Sequence, residues 1–296
     1  INDLITLTNN CSHSYADDTT LHSSIQFRSA ADCRTNLDTV RINRNASLTT
    51  DINGILSWGA RNRVTFNSSK TQSLYISTKR NRDTVPIIMD NTTLNETNSA
   101  RILGIDISSD LSWHSHITNI SRMASKKLGY LFRAKHFFSS KDLFILYKAQ
   151  VRPHLEYCCH VWGGAPVTSL KILDKVQSRA IRLINDPALT SSLQSLEHRR
   201  CISSLCLFYR YYYGVCSQEL AGCIPPPLQL SANRTSRSTA ASHQHAVSLI
   251  TCRTDVGRRS FFSRTSKLWN GLPPHVFPPE FNLQAFKTNI NKLSFI

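Results

Sequence analysis

Two hydrophobic periods divide the chain. Up to Trp113 the apolar positions come in short alternating runs around one longer helical stretch, and beyond it they recur about every 3.6 residues for roughly seventy positions. Leu4 to Leu7 is a short apolar piece. The following HSYADDTTLHSSI sets aromatic and β-branched residues on both sides of an Ala16-Asp17-Asp18 corner, which predicts strand, turn, strand. Between residues 30 and 58, Leu37, Val40, Ile52, Ile55 and Leu56 fall at helical spacing and the pattern stops at Gly59, so two helical pieces are expected to end there. In RVTFNSSKTQSLYIST, Val64 and Phe66 alternate before an Asn67-Ser68-Ser69-Lys70 turn and Leu74 and Ile76 follow it, a hairpin pattern. Further strands are expected over Pro86–Met89 and Ile102–Ile107.

Past Trp113, Ile117, Ile120, Ala124, Leu128 and Leu131 share one helical face, with Arg122, Lys126 and Arg133 nearly opposite. A second helix is predicted over Ser140–Trp162, opened by the capping sequence SSKD and bent at Pro153, whose ring nitrogen has no proton to donate. The third, Leu170–Asn185, has the clearest pattern. Leu170, Leu173, Val176, Ala180 and Ile184 make its apolar stripe, Lys171, Lys175, Arg179 and Arg182 line the reverse side, and Asp186-Pro187 stops it. Residues 187–222 read as helical with weaker periodicity, residues near 224–245 as a Pro/Ser/Thr-rich linker, and Phe281–Leu293 as a last helix.

The 296 residues are 41% hydrophobic and 18% charged, a globular composition with length enough for two ordinary domains. No apolar run reaches the eighteen residues of a membrane span, and INDLITLTNNCSHS lacks the basic patch and apolar run of a secretory signal. Nine irregularly spaced cysteines point to reduced thiols rather than a disulfide frame, and so to an intracellular setting, nucleus or cytoplasm. The net charge of +16 is uneven: residues 115–200 carry 14 basic and 5 acidic side chains and residues 201–296 carry 10 and 3, whereas residues 1–60 are net −2. A neutral front and a basic back half fit acid-dependent chemistry at one end and a bound polyanion along the rest; solubility alone accounts for the same charge. Since the first residue is Ile1, the chain is expected to be a piece of a longer reading frame.

Paired carboxylates aimed by a rigid strand turn are what a hard divalent cation needs, and Tyr15-Ala16-Asp17-Asp18 meets that description. A solvated Asp-Asp turn uses the same residues. The flanks add to the pattern. INDL ahead of HSYADDTTLHSS resembles the third conserved palm motif of reverse transcriptases encoded by non-LTR retrotransposons, in particular the Jockey and CR1-like branch. LSWGARNRVTFNSSKTQSLYIS is similar to the next palm segment, through Trp58, Asn62, Phe66, Asn67, Lys70 and Thr71. RILGIDISSDLSWHSHI resembles the segment around the primer grip, through Leu103, Gly104, Leu111, Trp113 and His116. KKLGYLFRAKHFFSSKDLFILYKAQVRPHLEYCCHVWGGAP followed by LDKVQSRAIRLI resembles the helical thumb, and RRSFFSRTSKLWNGLPPHVF the region after it.

The resemblance implies an α+β fold: the C-terminal part of a palm, antiparallel hairpins with packed helices, over residues 1–114; a helical thumb over 115–186; and a mostly helical post-thumb region over 187–296. It implies an RNA-directed DNA polymerase acting on an RNA template, a DNA primer and deoxynucleoside triphosphates. Two Mg²⁺ ions would serve it, one acidifying the primer 3′-hydroxyl and the other neutralising the triphosphate. By the same resemblance Asp17 would be a direct metal ligand and Asp18 a second ligand or a support for the hairpin. Tyr15 and Ala16 would lie next to the primer terminus or incoming nucleotide. Lys70 would approach the triphosphate, or be a solvated turn lysine; Leu103-Gly104 would bring backbone to the primer, or form a plain turn. Arg122, Lys126, Arg133, Lys171, Lys175, Arg179 and Arg182 would neutralise template–primer phosphates.

The family's other palm aspartate, its fingers and its endonuclease precede these motifs, so the chain by itself is expected to be inactive. The alternative is a non-catalytic nucleic-acid-binding remnant or co-opted module, with no membrane partner in either case. Cys158, Cys159, Cys201, Cys206, Cys216 and Cys223 lack a CxxC knuckle and read as buried thiols rather than zinc ligands, and His243 and His245 have no cysteine pair nearby. No GxSxG elbow occurs. The run Phe208, Tyr209, Tyr211, Tyr212, Tyr213 suits base stacking or a helix core, and aromatics all round a helix favour the core.

Overall fold

A computed structural model describes residues 2–24, 37–77, 86–228 and 243–293, and divides the chain into two compact units, Ile1–Leu111 and Ser112–Ile296. The architecture is α+β, with far more helix than strand. The first unit opens with a short helix α1 (Asn2–Ile5), then strands β1 (Cys11–Tyr15) and β2 (Asp18–His22), which pair antiparallel from Cys11 opposite His22 to Tyr15 opposite Asp18. A long helix, α2 (Leu37–Asn62), follows, and short strands β3 (Gln72–Ser73), β4 (Ile88–Met89), β5 (Thr92–Thr93), β6 (Asn95–Glu96), β7 (Ser99–Ile102) and β8 (Ile105–Ser108) complete it. They pair as β3 with β6 in parallel, and as β4 with β5 and β7 with β8 antiparallel.

The sequence pattern ended its two helical pieces at Gly59, but α2 is one unbroken helix that runs on to Asn62. The first residues of the predicted stretch, 30–36, lie outside the described residues. Gly59 is not a stop but a close approach. Arg63 takes a left-handed φ of 57°, Val64 N–H donates back to the Gly59 carbonyl at 2.8 Å, and the chain folds over the helix end in a Schellman arrangement. A Cβ at position 59 would stand 2.6 Å from the Val64 carbonyl oxygen and 2.9 Å from the Phe66 ring. Phe66 thereby packs on the small core of Leu4, Ile55 and Trp58.

That use of Val64–Phe66 removes the hairpin predicted around Asn67–Lys70. The Asn67 side chain instead accepts from the Ser69 and Lys70 amides at 2.9 and 3.3 Å, an Asx turn, and β3 pairs with β6. The single strand predicted over Ile102–Ile107 is two strands, because Leu103 and Gly104 both take positive φ, 47° and 82°, and reverse the chain between β7 and β8.

The second unit begins with α3 (His114–Ala134). The predicted helix from Ser140 to Trp162 is divided into α4 (Ser140–Leu146), a π turn (Tyr147–Val151), α5 (Arg152–Glu156) and α6 (Cys159–Trp162). Ser139 and Asp142 form the reciprocal capping box at its start. The wider π turn falls immediately before Pro153, where an α turn would press the ring against a carbonyl. The real break comes later, at Cys158, which is left-handed, and the buried Trp162 closes it by donating from Nε1 to the Tyr157 carbonyl at 2.9 Å. Helix α7 (Val167–Ile184) ends on the left-handed Asn185. Its neighbours in sequence are α8 (Pro187–Thr190), α9 (Leu196–Tyr212), α10 (Gln218–Gly222), α11 (Asp255–Arg259), α12 (Phe261–Asn270) and α13 (Leu283–Ile290).

Helix α3 packs along α7. His114 Nδ1 lies 3.3 Å from Ser169 Oγ near their first turns, and Phe132 and Arg182 share a groove near their last, so the two helices run parallel. Tyr147 donates to Gln177 Oε1 at 2.8 Å and Gln177 Nε2 donates to the Gln194 carbonyl at 3.0 Å, satisfying the polar groups buried between the π turn and α7. Helix α9 touches α5 and α6 as well as α12 and α13. On the latter side Phe208, Tyr209, Trp269 and Phe286 form a second core, so the aromatic run of α9 packs rather than stacks on a ligand.

The linker is shorter than the sequence suggests. Residues 229–242 lie outside the described residues, while His243, Ala246 and Val247 are buried against α12. Asn270 both donates to the Val247 carbonyl and accepts from its amide, at 2.7 and 3.0 Å. His243 Nε2 meets the Trp269 carbonyl at 2.9 Å and its Nδ1 accepts from the His245 amide at 3.2 Å, which fixes the neutral Nε2–H tautomer. No helix was predicted over α12, within the RRSFFSRTSKLWNG segment. No helix among the described residues is long and apolar enough to cross a membrane.

Two predictions follow from these contacts. Arg63→Gly should raise stability by about 1 kcal/mol in urea unfolding, because glycine adopts the left-handed cap without strain. Burial holds His154, His160, His243 and His245 below the ordinary value of 6.5. The unfolded chain therefore takes up protons first as pH falls, and the urea midpoint should be level above about pH 7 and decline progressively below 6.5.

Candidate functional site

Ala16 and Asp17 form the two-residue turn between β1 and β2, and Ala16 takes a left-handed φ of 53°. Asp17 and Asp18 both stand in solvent, and the Tyr15 ring is 69% exposed. The ribbon is held to itself by its ladder, by Ser14 Oγ and Thr19 Oγ1 at 3.4 Å, and by stacked His13 and His22 rings 5.2 Å apart. It buries little surface of its own, so its position must come from its root.

The root is held by Asp51 on α2, a carboxylate only 2% exposed. Its Oδ1 accepts from the Asn9 amide at 3.0 Å and from Asn9 Nδ2 at 3.3 Å; its Oδ2 accepts from the Asn10 amide and Asn10 Nδ2, both at 2.8 Å. Asn10 Nδ2 also reaches Ser47 Oγ at 2.9 Å. Burial pushes the Asp51 carboxyl up, but the four donors outweigh it and hold the group below the usual carboxylate value. Asp51 was missed in the sequence. The signal was there: it falls on the same helical face as Ile55 and Trp58, a charge inside an apolar stripe.

Two adjacent carboxylates on a turn are hard oxygen donors of the type Mg²⁺ takes. Their number falls short of a two-metal site, and among the described residues no group of three or more His, Cys, Asp or Glu is arranged to hold a metal. No hydrogen bond or ion pair among the described residues joins either carboxylate to Lys70, which is exposed on the Asx turn. Leu103-Gly104 is the tight turn of the β7–β8 hairpin, with Leu103 about half exposed. Each of these residues thus occupies an exposed turn of the first unit. His116, in contrast, is buried, with its ring near those of Trp113 and Trp162.

In the second unit the predicted faces separate, with Ile120 and Leu170 at the half-buried edge of their stripes. Ile117, Ala124, Leu128 and Leu131 are buried on α3 while Arg122, Lys126 and Arg133 are exposed; Leu173, Val176, Ala180 and Ile184 are buried on α7 while Lys171, Lys175, Arg179 and Arg182 are exposed. None of these seven cations is in an ion pair among the described residues. They differ in this from Arg199, which clamps Glu156 in a two-pronged pair between α9 and α5. The eight described cysteines are free thiols; burial pushes Cys206 up to about 11.

The probable RNA-directed DNA polymerase of transposon X-element from Drosophila melanogaster is 28% identical to the chain over 130 residues, 43% of the chain and 14% of that protein. The RNA-directed DNA polymerase of the mobile element jockey from Drosophila funebris is 26% identical over 131 residues, again 43% of the chain and 14% of the relative. The chain is related to the reverse transcriptases of non-LTR retrotransposons. It spans about a seventh of the length of these two relatives in the matched stretch. No family model matches the chain, and no solved structure matches it.

In this reverse-transcriptase-like chain the Asp51 clasp is the testable point of the first unit. Asp51→Ala strands one buried and one part-buried backbone donor and should cost about 3 kcal/mol of stability in urea unfolding. The wild-type advantage should be full above about pH 4 and disappear as acid protonates the carboxyl, since the folded group titrates below the unfolded value of 3.8.

Proposed function

We propose that the chain is part of an RNA-directed DNA polymerase of a non-LTR retrotransposon, contributing a palm hairpin over residues 1–114, a thumb over 115–186 and a post-thumb region over 187–296. The observation that carries the reading is the exposed Tyr15-Ala16-Asp17-Asp18 turn at the tip of an antiparallel ribbon, in a chain similar to two such polymerases. Asp17 and Asp18 would supply carboxylate ligands, with the remaining ligands, the fingers and an endonuclease coming from other parts of the same polyprotein. When bound, Mg²⁺ would acidify the primer hydroxyl and neutralise the triphosphate. Tyr15 and Ala16 would border the primer terminus, Leu103-Gly104 would present backbone to the primer strand, and Lys70 would meet the triphosphate. The cations of α3 and α7 would hold the RNA–DNA duplex through its phosphates, which gives affinity independent of sequence, as a translocating polymerase requires. Such a parent works in the nucleus and cytoplasm.

A second reading is a nucleic-acid-binding module without catalysis, in which the exposed cations of α3 and α7 act and the turn carboxylates do not. Primer extension on an RNA template with Mg²⁺, using the reading frame extended upstream, separates the two. Extension abolished by Asp17→Asn supports the polymerase; binding without extension supports the module. In either case Lys175→Glu/Arg179→Glu should weaken binding of the chain to an RNA–DNA duplex by about tenfold or more and flatten its salt dependence. Unchanged affinity would remove the cationic face of α7 from the proposal.

A further inference from the structure

A groove of about 470 Å³ opens where the last turns of α3 and α7 meet. The rings of Phe132 and Phe138 and the cations Lys135 and Arg182 line it, with the left-handed Asn185 at the end of α7. Phe137, between two lining residues, is 86% exposed, and Phe132 is 58% exposed. Three phenylalanines within seven positions therefore face solvent together, whereas Phe208, Tyr209, Trp269 and Phe286 are buried in the core of α9, α12 and α13. Lys135 Nζ lies over the Phe132 ring, 4.9 Å from its centre. The nearest carboxylates along the chain are engaged in helix caps: Asp142 accepts from Ser139 Oγ at 2.6 Å, and Asp186 accepts from the Leu189 amide at 3.1 Å. The groove is thus aromatic, cationic, and without an acidic lining residue.

We propose that this groove binds single-stranded nucleic acid, with unpaired bases stacked on Phe132, Phe137 and Phe138 and the flanking phosphates on Lys135 and Arg182. Flat exposed rings reach the faces of bases, and those faces are available only where bases are not stacked within a duplex. Two cations and no acidic lining residue attract a phosphate chain, whereas an uncharged apolar peptide gains nothing from that charge, so the pattern favours the polyanion. The site goes beyond duplex binding by the cationic helix faces, with which it shares only Arg182, and it does not require the parent to polymerise.

The test is binding of the purified 296-residue chain to labelled twenty-nucleotide oligo(dT) and oligo(U), and to a duplex of equal length, over a series of salt concentrations. Phe137→Ala alters a side chain that is almost wholly in solvent and leaves the core intact. It should weaken single-strand binding by about five- to tenfold with the salt slope unchanged, and alter duplex binding by less than about twofold. Phe138→Ala should act in the same direction, and Arg182→Gln should instead reduce the single-strand salt slope by about 0.7. A preference between the two oligonucleotides would report contact with the 2′-hydroxyl or with the thymine 5-methyl group; equal loss on both keeps the site a stacking platform. Single-strand affinity unchanged in both ring variants overturns the proposal, as does an equal loss on duplex. Failure of duplex binding to respond to Lys175→Glu/Arg179→Glu touches only the thumb reading, so the two failures are distinct.

Discussion

A ribbon of two five-residue strands with exposed faces cannot hold its own place, and in this chain a single carboxylate does that work. Asp51 gathers two backbone amides and two side-chain amides from Asn9 and Asn10 onto one face of α2, immediately before β1 begins. Everything the ribbon offers at its tip, the Tyr15 ring and the two carboxylates, is aimed by that contact. An ion buried without a cation among the described residues is tolerated because four donors satisfy it, and the same four donors keep it charged. The next element reuses α2: its end turns left-handed at Arg63, and Phe66 comes back over Gly59 to close the small core beneath.

The second unit rests on a different constraint, the burial of one stripe on each long helix. Once Leu173, Val176, Ala180 and Ile184 face α3, the lysines and arginines between them have nowhere to point but outward. The same geometry explains why these cations are available while others are not. Arg199 is drawn into a half-buried pair with Glu156, whose hydrogen bonds raise its pKa above the ordinary guanidinium value. Running α3 and α7 in parallel brings both last turns to one end, and there the chain between α3 and α4 leaves its phenylalanines in solvent beside Arg182.

Several turning points are made by residues other than glycine in left-handed backbone: Ala16, Leu103, Cys158 and Asn185. Asn tolerates that conformation; Ala and Leu hold it at a cost of about 1 kcal/mol or more. Two of these strained positions, Ala16 and Leu103, sit in the motifs that resemble the palm hairpin and the primer grip. The fold around each turn is a regular ladder that holds the strain.

Local pattern was enough for whatever depends on neighbours along the chain. The strand–turn–strand around Asp17 and Asp18, the amphipathic faces of α3 and α7, the capping box at Ser139 and the stop at Asp186-Pro187 were all legible, because turn chemistry, helical period and caps act within a few residues. So was the family likeness, which lies in short ordered motifs. Tertiary contacts decided the rest. Helix α2 passed its expected end because Phe66 needed the space that Gly59 leaves; the Val64–Ile76 hairpin failed because β3 found β6 instead; and His243–Val247 left the linker to bury against Trp269. Asp51 and the ring-lined groove were equally invisible, since a buried ion reveals its role only with its distant donors present, and a cluster of exposed rings beside a cation forms only when the fold brings separate helix ends together.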